Sequence, residues 1–525
     1  MRLNLARILP SILLLSLYSA VGWGADWLTF GHDPQRSGWA VEEKDLSVNN
    51  AGKLELKWKT ALKNEALSLA SLTAPLVASN VTTPQGIKTL VYVAGSSNHL
   101  FALDSQSGEQ VWSYSFKSST VPKDEGMWLC PNNLNATPVI DRLRNLIFVI
   151  SADGKLYGLD LGTGKTGWGP IQFVPPFAKV WSLNLVDGFV YTSTSQGCGG
   201  TPSGIFVMDT RHPNQPAMNS LLVARRGGGI WGRGGPVVGA DGRVYAAVGD
   251  GNFNPLLNDY CNTVIAASQQ DLKVLDYFVP LNWREVNRLD WDLGSTSPVW
   301  FAHRDHNLLA LGAKEGVVYL LDADAMGEKD HFTPLDITPR LGNDEDSFEG
   351  KGVWGSLSAW QDDEGETWVY VPVLGPVSKK APKFPMMNGP NPNGSVMAFK
   401  VAVNESTKKP SLAAAWVSGD FSIPDPVVIA NGIVFALSTG ENVRQTKEGG
   451  VINWTKLTLL TNEQRRELTT RAVLYALDAR TGKVLYQSGN SIESWVHFSG
   501  LAVANGRVFT VDYKSNVYCF GLQGK

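Results

Sequence analysis

The sequence predicts an all-β protein, a single closed β-propeller of eight four-stranded blades. Three observations predict it: a recurring two-strand unit, short strands separated by turn residues, and an N-terminal strand that completes the last unit. The best copies of the unit are FALDSQSGEQVW at residues 101–112, YGLDLGTGKTGW at 157–168 and YALDARTGKVLY at 475–486. The copies show no helical period, so radially repeated sheets are the predicted architecture.

Each copy has the residues that a tight turn between two strands needs. An apolar run ends in Asp, a turn rich in Gly, Ser or Thr follows, and an aromatic residue closes the unit. The Asp side chain can accept backbone N–H groups of the turn, and Gly supplies a positive φ. Another strand pair precedes each copy, as in TLVYVAGSSNH at residues 89–99.

The two ends of the chain predict how the ring closes. The last unit, GRVFTVDYKSNVYCFGLQGK, ends before its outer strand, whereas LELKWKT at residues 54–60 is a strand without a unit of its own. We therefore expect this N-terminal strand to complete the last blade. The count gives about eight blades of about fifty to sixty residues. A seven-bladed ring is the alternative, because residues 338–416 are irregular.

Composition agrees with one large β domain and excludes nucleic acid as a partner. Hydrophobic residues make up 43% and charged residues 18% of the chain, which has 53 Gly and 18 Trp. These values are typical of a turn-dense chain with aromatic packing between blades. The net charge is −3 and no basic run is interleaved with aromatic residues, so no nucleic-acid surface is expected.

Residues 1–24 have the pattern of a secretory signal peptide. Arg2 and Arg7 precede a short apolar segment at residues 8–21, and small residues lie at the expected cleavage positions. The apolar segment is too short to span a bilayer comfortably, and no Cys lies near the cleavage site to carry a lipid anchor. We therefore predict a periplasmic or secreted protein without a membrane anchor, whose propeller domain is residues 25–525.

Export favours a disulfide bond. In an oxidising compartment we expect a bridge between two of Cys130, Cys198 and Cys261. The sequence does not decide which pair forms; we favour Cys130 with Cys198, and unpaired cysteines are the alternative. The chain has no CxxCH motif, so it binds no c-type haem of its own.

The repeated unit resembles that of the pyrroloquinoline quinone (PQQ) β-propellers. The resemblance covers most of the predicted mature chain. This family includes quinoprotein alcohol dehydrogenases, which hold PQQ and a metal on the ring axis, and cofactor-free scaffolds. The unit therefore predicts the fold, whereas the function depends on residues near the axis.

Several stretches resemble the dehydrogenases in that region. The stretch GGGIWGRGGPVVGADGRVYAAVGDGN at residues 227–252 implies that the quinone stacks on Trp231 and that Asn252 binds the metal. KEGVVYLLD at residues 314–322 implies that Lys314 contacts the quinone oxygens, where a cation stabilises the reduced form. The alternative is that Trp231 packs between blades and Asn252 serves a turn.

LDWDLG at residues 289–294 resembles the dehydrogenase segment that supplies two Asp residues, which implies that Asp290 and Asp292 are catalytic. On a strand, residues two apart point to one face. One carboxylate can then act as general base on an alcohol while the other binds the metal. Two close carboxylates repel each other, which favours a cation between them. The alternative is that Asp290 caps a turn and Asp292 is solvated.

The chain also departs from the dehydrogenases in three places. They have two adjacent cysteines where LCPNNLNATP, at residues 129–138, has Cys130 alone. The Arg that follows there is replaced by Asn-Ala-Thr at residues 135–137, so we assign the missing anion contact to Arg233. TSTSQGCGG at residues 192–200 has no metal-binding Glu, which leaves Gln196 or Cys198 in that place.

Three further residues are expected at the mouth of the predicted axial channel: Trp354, Trp495 and His497. His497 could act there as an acid or base, or as a structural hydrogen-bonding residue. Residues 378–395 predict a loop over one face. TNEQRREL predicts a short helix with a capping box formed by Thr461 and Gln464.

Two functional hypotheses follow. The first is an exported oxidoreductase that uses PQQ with calcium or a lanthanide to oxidise an alcohol or sugar hydroxyl, passing electrons to a separate acceptor. The second is a non-catalytic propeller that binds a protein or glycan partner and keeps a degenerate cofactor site. A weaker third reading is an enzyme that uses the two Asp residues without a quinone.

Overall fold

The computed structural model describes residues 25–124, 126–127, 129–224, 227–344, 351–448, 458–497 and 499–524. Within these residues the chain forms eight antiparallel sheets in a ring, which confirms the eight-bladed propeller and excludes seven blades. The predicted signal peptide at residues 1–24 lies outside the described residues. Among the described residues, no helix has the length and apolar character needed to span a bilayer.

The blades follow the chain in order. In most blades the first strand pairs with the second, whereas in blades 3 and 6 the first two short strands both pair with the strand that follows them. Blade 1 has strands Leu76–Thr83, Gly86–Gly95, His99–Asp104 and Gln110–Ser115. Blade 2 has Val139–Asp141, Leu146–Ile150, Lys155–Asp160 and Thr166–Gln172. Blade 3 has Lys179–Val180, Asn184–Val186, Phe189–Ser195, Gly204–Asp209 and Met218–Leu222. Blade 4 has Val237–Val238, Val244–Ala247, Val264–Ala267 and Val274–Phe278.

Blades 5 to 8 complete the ring, and blade 6 is the irregular one. Blade 5 has Val299–His303, His306–Gly312, Val318–Asp322 and Asp336–Ile337. Blade 6 has Gly352–Val353, Ser358–Gln361, Thr367–Leu374, Met386–Met387, Gly394–Val403 and Pro410–Val417. Blade 7 has Val428–Ala430, Ile433–Ser438, Val473–Asp478 and Val484–Gln487. Blade 8 has Ala502–Ala504, Arg507–Val511, Asn516–Leu522 and Leu54–Ala61.

The N-terminal strand closes the ring, as the sequence predicts. Leu54–Ala61 pairs antiparallel with Asn516–Leu522, with Leu54 opposite Leu522 and Ala61 opposite Asn516. The last blade is therefore built from both ends of the described chain.

Smaller elements lie between the blades. Helix α1 is Trp283–Leu289 and helix α2 is Asn462–Glu467, which begins with the predicted Thr461–Gln464 capping box. Two short β pairs and four 3₁₀ turns complete the described elements: Phe253–Asn254 with Asp259–Tyr260, Thr296–Ser297 with Gly355–Ser356, Ala51–Lys53, Cys198–Gly200, Pro255–Leu257 and Leu293–Ser295. Met386–Met387 pairs with the last strand of blade 6, so the predicted loop at residues 378–395 is partly a strand.

Tryptophans of the repeated unit join one blade to the next. The indole Nε1 of Trp112 in blade 1 donates to the carbonyl oxygen of Leu161 in blade 2 at 2.8 Å. Trp416 makes the same bond to Ala479 at 2.9 Å, from blade 6 to blade 7. The turn glycines have positive φ and lie against these rings, so the Gly of the repeat provides both the turn conformation and room for the neighbouring indole.

Gly164→Ala is expected to lower the free energy of unfolding by about 2–5 kcal/mol. Its φ is +67°, and an added Cβ would lie 2.6 Å from the Trp112 ring. Gly242→Ala is the matched control: its φ is +77° and nothing lies within 4 Å of its Cβ position. The control should therefore cost only the left-handed strain, about 1–2 kcal/mol. Urea unfolding of both variants measures the difference, and equal losses would contradict the packing role of Gly164.

An N-terminal segment at residues 27–40, here called the collar, runs around one end of the ring. Backbone bonds join Trp27 to Val77 in blade 1, the Leu28 carbonyl to Ile140 in blade 2 and the Gly38 carbonyl to Ile429 in blade 7. Between these contacts the collar forms one hydrogen bond or more with each of blades 3 to 6, at Leu183, Val238, Trp300 and Ala359. The buried guanidinium of Arg36 donates to the carbonyl oxygens of Phe30 and Leu183, which fixes the collar's path.

Candidate functional site

A cavity of about 230 Å³ lies on the ring axis. Its lining residues come from blades all around the ring or from the segments between them, which places it at the centre. We call it the axial cavity; it is lined by Leu129, Lys179, Trp181, Gln196, Trp231, Asp250, Asp290, Asp292, Lys314, Trp354, Gln445, Arg465 and His497. Of the residues predicted as a site, Gln196, Trp231, Asp290, Asp292 and Lys314 are brought together here.

Asp290 and Asp292 converge, but not in the way the sequence predicts. The expected strand is absent: Asp290 is the residue that ends helix α1, with φ of +56° and its N–H donating to the carbonyl oxygen of Val286. Asp292 directly precedes the 3₁₀ turn Leu293–Ser295. Both carboxylates therefore reach the cavity from a helix end that is followed by a turn. They do not lie on one face of a strand.

Three carboxylates form an acidic cluster: Asp250, Asp290 and Asp292. One oxygen from each lies within 4.8 Å of the others. Lys314 Nζ is 3.0 Å from Asp290 Oδ1 and 2.9 Å from Asp292 Oδ1. Among the described residues, Asp290 Oδ2 and Asp250 Oδ1 have no hydrogen-bond partner although they are buried. Carboxylate oxygens in such a group are the ligands that Ca²⁺ and similar hard cations prefer.

The charges of the acidic cluster are not balanced by its one lysine. Burial and the neighbouring charges of Asp292 and Asp290 raise the pKa of Asp250 well above its usual value. Burial also raises the pKa of Asp292, against the opposing effect of Lys314. Burial acts to lower the pKa of Lys314, but the three carboxylates outweigh it and the pKa is raised, so the ammonium stays charged. A proton or a bound cation is needed to stabilise the cluster.

Two indoles stand beside the acidic cluster. Trp231 Nε1 donates to Asp292 Oδ2 at 2.8 Å, which fixes both the ring and the carboxylate. The Trp354 ring meets the Trp231 ring edge to face, with centroids 5.4 Å apart. Lys314 Nζ lies 5.1 Å from the Trp231 centroid and 5.5 Å from that of Trp354, a cation–π arrangement. The cavity therefore combines flat apolar surfaces with charged groups.

Basic and imidazole side chains line another part of the axial cavity. Lys179 Nζ lies over the Trp181 ring at 5.2 Å, and burial, together with the charge of Arg465, lowers its pKa to about 7. Arg465 Nη2 donates to Glu441 Oε1 at 2.7 Å, and His497 Nδ1 is 2.7 Å from Glu441 Oε2. Positive groups thus lie at one part of the cavity wall and the acidic cluster at another.

Two predicted site residues lie elsewhere. Arg233 lines a smaller neighbouring cavity and forms a buried ion pair with Asp425, so its guanidinium already has an anionic partner. Burial lowers the pKa of Arg233 to about 10. Asn252 is exposed and does not line the axial cavity. Asp250, two residues earlier in the same turn, faces the cavity instead.

The structure also contains the favoured disulfide. Cys130 and Cys198 are bonded, and Cys261 and Cys519 are buried free thiols. The bridge joins the segment that carries Leu129 to the turn that carries Gln196, and both residues line the axial cavity. Of the three aromatic or imidazole residues expected at the channel mouth, Trp354 and His497 line the cavity, whereas Trp495 stacks on Tyr513.

Comparison with known proteins points to one family. Residues 27–174 match the family model described as the glucose/ethanol/alcohol dehydrogenase β-propeller domain, of the PQQ type. The match confirms the resemblance to PQQ β-propellers. A 1-butanol dehydrogenase (cytochrome c) from Thauera butanivorans is 28% identical over 158 residues. That alignment covers 30% of this chain and 20% of the Thauera protein, so the matched part is about a fifth of the relative's length.

Solved structures share the propeller fold of this chain along nearly its whole length. The quinohemoprotein alcohol dehydrogenase from Comamonas testosteroni superposes with a TM-score of 0.57 and 14% identity, covering 95% of this chain and 81% of that one. A europium-containing methanol dehydrogenase gives a TM-score of 0.57 and 14% identity over 95% of this chain and 98% of that one. At this identity the likeness concerns the fold alone.

Proposed function

We propose that this protein is an exported quinoprotein oxidoreductase that oxidises an alcohol or sugar hydroxyl, using PQQ with calcium or a lanthanide. The observation that carries the proposal is the acidic cluster beside Trp231, because its buried carboxylate oxygens without hydrogen-bond partners have the chemistry of a hard-cation site. The matching family model, described as an alcohol dehydrogenase β-propeller domain, supports the same assignment.

The residues present fit both groups. Asp250, Asp290 and Asp292 would hold the cation, with Asp250 in place of the predicted Asn252 and Gln196 close to the same cavity. The indoles of Trp231 and Trp354 offer faces for a conjugated ring system. When bound, the quinone supplies the two-electron oxidant and the cation polarises an oxygen.

The remaining roles belong to the charged side chains. Lys314 would stabilise negative charge that develops beside the cation. Lys179 and Arg465, rather than the predicted Arg233, are placed to attract the carboxylates of the quinone, because both line the axial cavity. Both Asp292 oxygens lie beside donors, Oδ2 accepting from Trp231 and Oδ1 being 2.9 Å from Lys314 Nζ. These contacts favour a cation-holding role for Asp292 over that of general base.

Electrons would leave for a separate acceptor, since the chain has no CxxCH motif for a haem of its own. The relative from Thauera butanivorans is named for cytochrome c, and we propose a carrier of that kind here. The second candidate function is a propeller that binds a protein or glycan without catalysis. The missing adjacent cysteines and the engagement of Arg233 by Asp425 support that alternative.

Reconstitution tests the proposal. Purified protein is incubated with PQQ and either calcium or lanthanum, and bound chromophore and dye reduction are followed with a panel of alcohols. We expect binding at micromolar PQQ and alcohol-dependent dye reduction, both lost on chelation of the metal. Lys314→Met should abolish dye reduction, whereas Lys329→Met, an exposed lysine in the connection between two strands of the same blade, should leave it unchanged. Absence of PQQ binding would refute the oxidoreductase and favour the non-catalytic alternative.

A further inference from the structure

A second concave site, with a volume of about 750 Å³, lies where the collar passes blades 6 and 7. We call it the collar groove. It is lined by the end of the collar and the residues after it, a strand end of blade 6 and two turns of blade 7: Trp39, Ala40, Val41, Glu43, Ser47, Val48, Asn49, Trp360, Gln361, Asp362, Asp363, Asn431, Gly432, Asp478 and Arg480. Sites for small ligands usually have about 300–1,000 Å³. None of these residues lines the axial cavity, so the collar groove is a separate site.

Two tryptophans of the collar groove have accessible indole N–H groups. Trp39 is partly exposed, and it packs against the buried cluster that contains Trp360. Among the described residues, neither Nε1 has a hydrogen-bond partner and neither atom is fully buried. Another indole of this cluster differs, because Trp368 Nε1 donates to Asp362 Oδ2 at 3.0 Å. Trp39 and Trp360 can therefore present both an apolar ring and a hydrogen-bond donor to a ligand.

The collar groove also presents oxygens that can accept hydrogen bonds. Asp478 Oδ1 accepts backbone N–H groups of its own turn, whereas its Oδ2 has no partner among the described residues. Asn431 and Gln361 use their amide nitrogens to donate to backbone carbonyl oxygens, and in the described part of the chain their side-chain oxygens accept nothing. Donors and acceptors thus occur together with apolar rings in one groove.

The charges of the collar groove disfavour an acidic ligand. Its lining contains four carboxylates, those of Glu43, Asp362, Asp363 and Asp478, and one guanidinium, that of Arg480. A polyanion would therefore meet an excess of negative charge. Three of the four carboxylates already have partners in the protein. Arg480 pairs with Asp362 and Asp363, and both oxygens of Glu43 accept backbone N–H groups, so little charge is left to select a cation.

We propose that the collar groove binds a neutral oligosaccharide. A sugar ring has an apolar C–H face, which packs on an indole, and a rim of hydroxyls that both donate and accept hydrogen bonds. The N–H groups of Trp39 and Trp360 match the acceptor side of that rim, and the unpaired oxygen of Asp478 matches its donor side. The proposal concerns a site away from the axial cavity and holds with or without a bound quinone.

Saturation-transfer difference NMR of the purified protein with a panel of neutral di- to tetrasaccharides tests the proposal. We expect the strongest signals from ring C–H protons, because that face of the sugar lies on an indole. Trp39→Ala should lower the affinity by about tenfold or more, since it removes the partly exposed ring. Trp283→Ala, which removes a partly exposed indole in helix α1, is the matched control and should bind as the wild-type protein does.

A conservative variant keeps the test valid where Trp39→Ala does not fold. Trp39→Phe retains a flat ring against the buried cluster but removes the N–H donor. It should fold as the wild-type protein does and bind the sugar more weakly, with C–H signals that are still present. Unchanged affinity in both Trp39 variants would show that the sugar does not lie in the collar groove.

Lys314→Met separates the collar groove from the axial cavity, where the proposed function also places a hydroxylated substrate. This variant should keep oligosaccharide binding, whereas Trp39→Ala should keep alcohol-dependent dye reduction. Because the ligand is uncharged, added NaCl should not change its affinity. The proposal is overturned if no sugar of the panel binds or if Lys314→Met abolishes sugar binding. A ligand that is instead a basic peptide, released by salt, would overturn it as well. Failure of PQQ binding bears only on the proposed function.

Discussion

Asp290→Asn is expected to lower the affinity of the axial cavity for a trivalent or divalent cation by about 100-fold or more. Changes outside the ligand shell already cost about 10- to 100-fold in metal affinity, and this change removes a charged ligand. The substitution keeps the shape of the side chain and an oxygen for Lys314, which is 3.0 Å from Asp290 Oδ1. What it removes is one of the three charges that attract the cation.

Terbium luminescence measures this effect without any quinone. Excitation of the neighbouring Trp231 and Trp354 should sensitise Tb³⁺ emission in the wild-type protein with one ion per chain. Asp324→Asn, an exposed acid in blade 5, is the control and should bind as the wild-type protein does. If Asp290→Asn and the control bind Tb³⁺ equally well, the acidic cluster is not the cation site.

Asp425→Ala is expected to lower the free energy of unfolding by about 3–5 kcal/mol. Asp425 is fully buried and Arg233 is 4% exposed, so the substitution leaves a guanidinium inside the protein without this carboxylate. The second Asp425 oxygen accepts from the backbone N–H of Gly500 at 2.8 Å, and that bond is lost as well. The ion pair joins the segment before blade 4 to the segment before blade 7. The bond to Gly500 links both of them to the segment before blade 8.

Two controls separate this effect from the loss of any ion pair. Asp363→Ala removes a carboxylate that is 86% exposed from its contact with Arg480, and it should change stability by no more than about 1 kcal/mol. Asp425→Leu combined with Arg233→Met should recover most of the loss, because neither buried charge of this pair is then left without its partner. Denaturant unfolding followed by tryptophan fluorescence measures all three. A single mutant as stable as the wild-type protein would show that Arg233 finds other partners.

The fold could be predicted from the sequence because it repeats. Each Asp and Gly of the unit stabilises its own turn. Asp160 Oδ1, for example, accepts hydrogen bonds from the backbone N–H groups of Gly162 and Thr163. Because these bonds join residues close in the chain, they leave a recognisable sequence pattern. The closing strand could be predicted because the last unit lacked one. Blade 6 was ambiguous because its extra strands, among them Met386–Met387, interrupt the repeat.

The candidate site was predicted only in part, since it depends on contacts between residues far apart in the chain. Trp231, Lys314 and the Asp290–Asp292 pair were found through resemblance, although the wrong local structure was assigned to the two acids. Asp250 was missed because the sequence does not show which residue of this turn faces the cavity. Asn252, two residues later, was chosen instead and is exposed. Glu441 and Arg465 lie in an insertion between two strands of blade 7. The capping box predicts the helix that carries Arg465, but no local pattern shows that this helix faces the axial cavity or that Glu441 pairs with it.

The collar should make unfolding of the propeller cooperative. In linear repeat arrays each unit contacts only its neighbours, and parts of the array can unfold separately. Here one continuous segment is bonded to blades 1 to 7, so any of these blades that leaves the ring must break its bond to a segment that the other six share. The protein should therefore lose its structure in a single cooperative transition, and cutting the chain within the collar should weaken blades 1 to 7 at once.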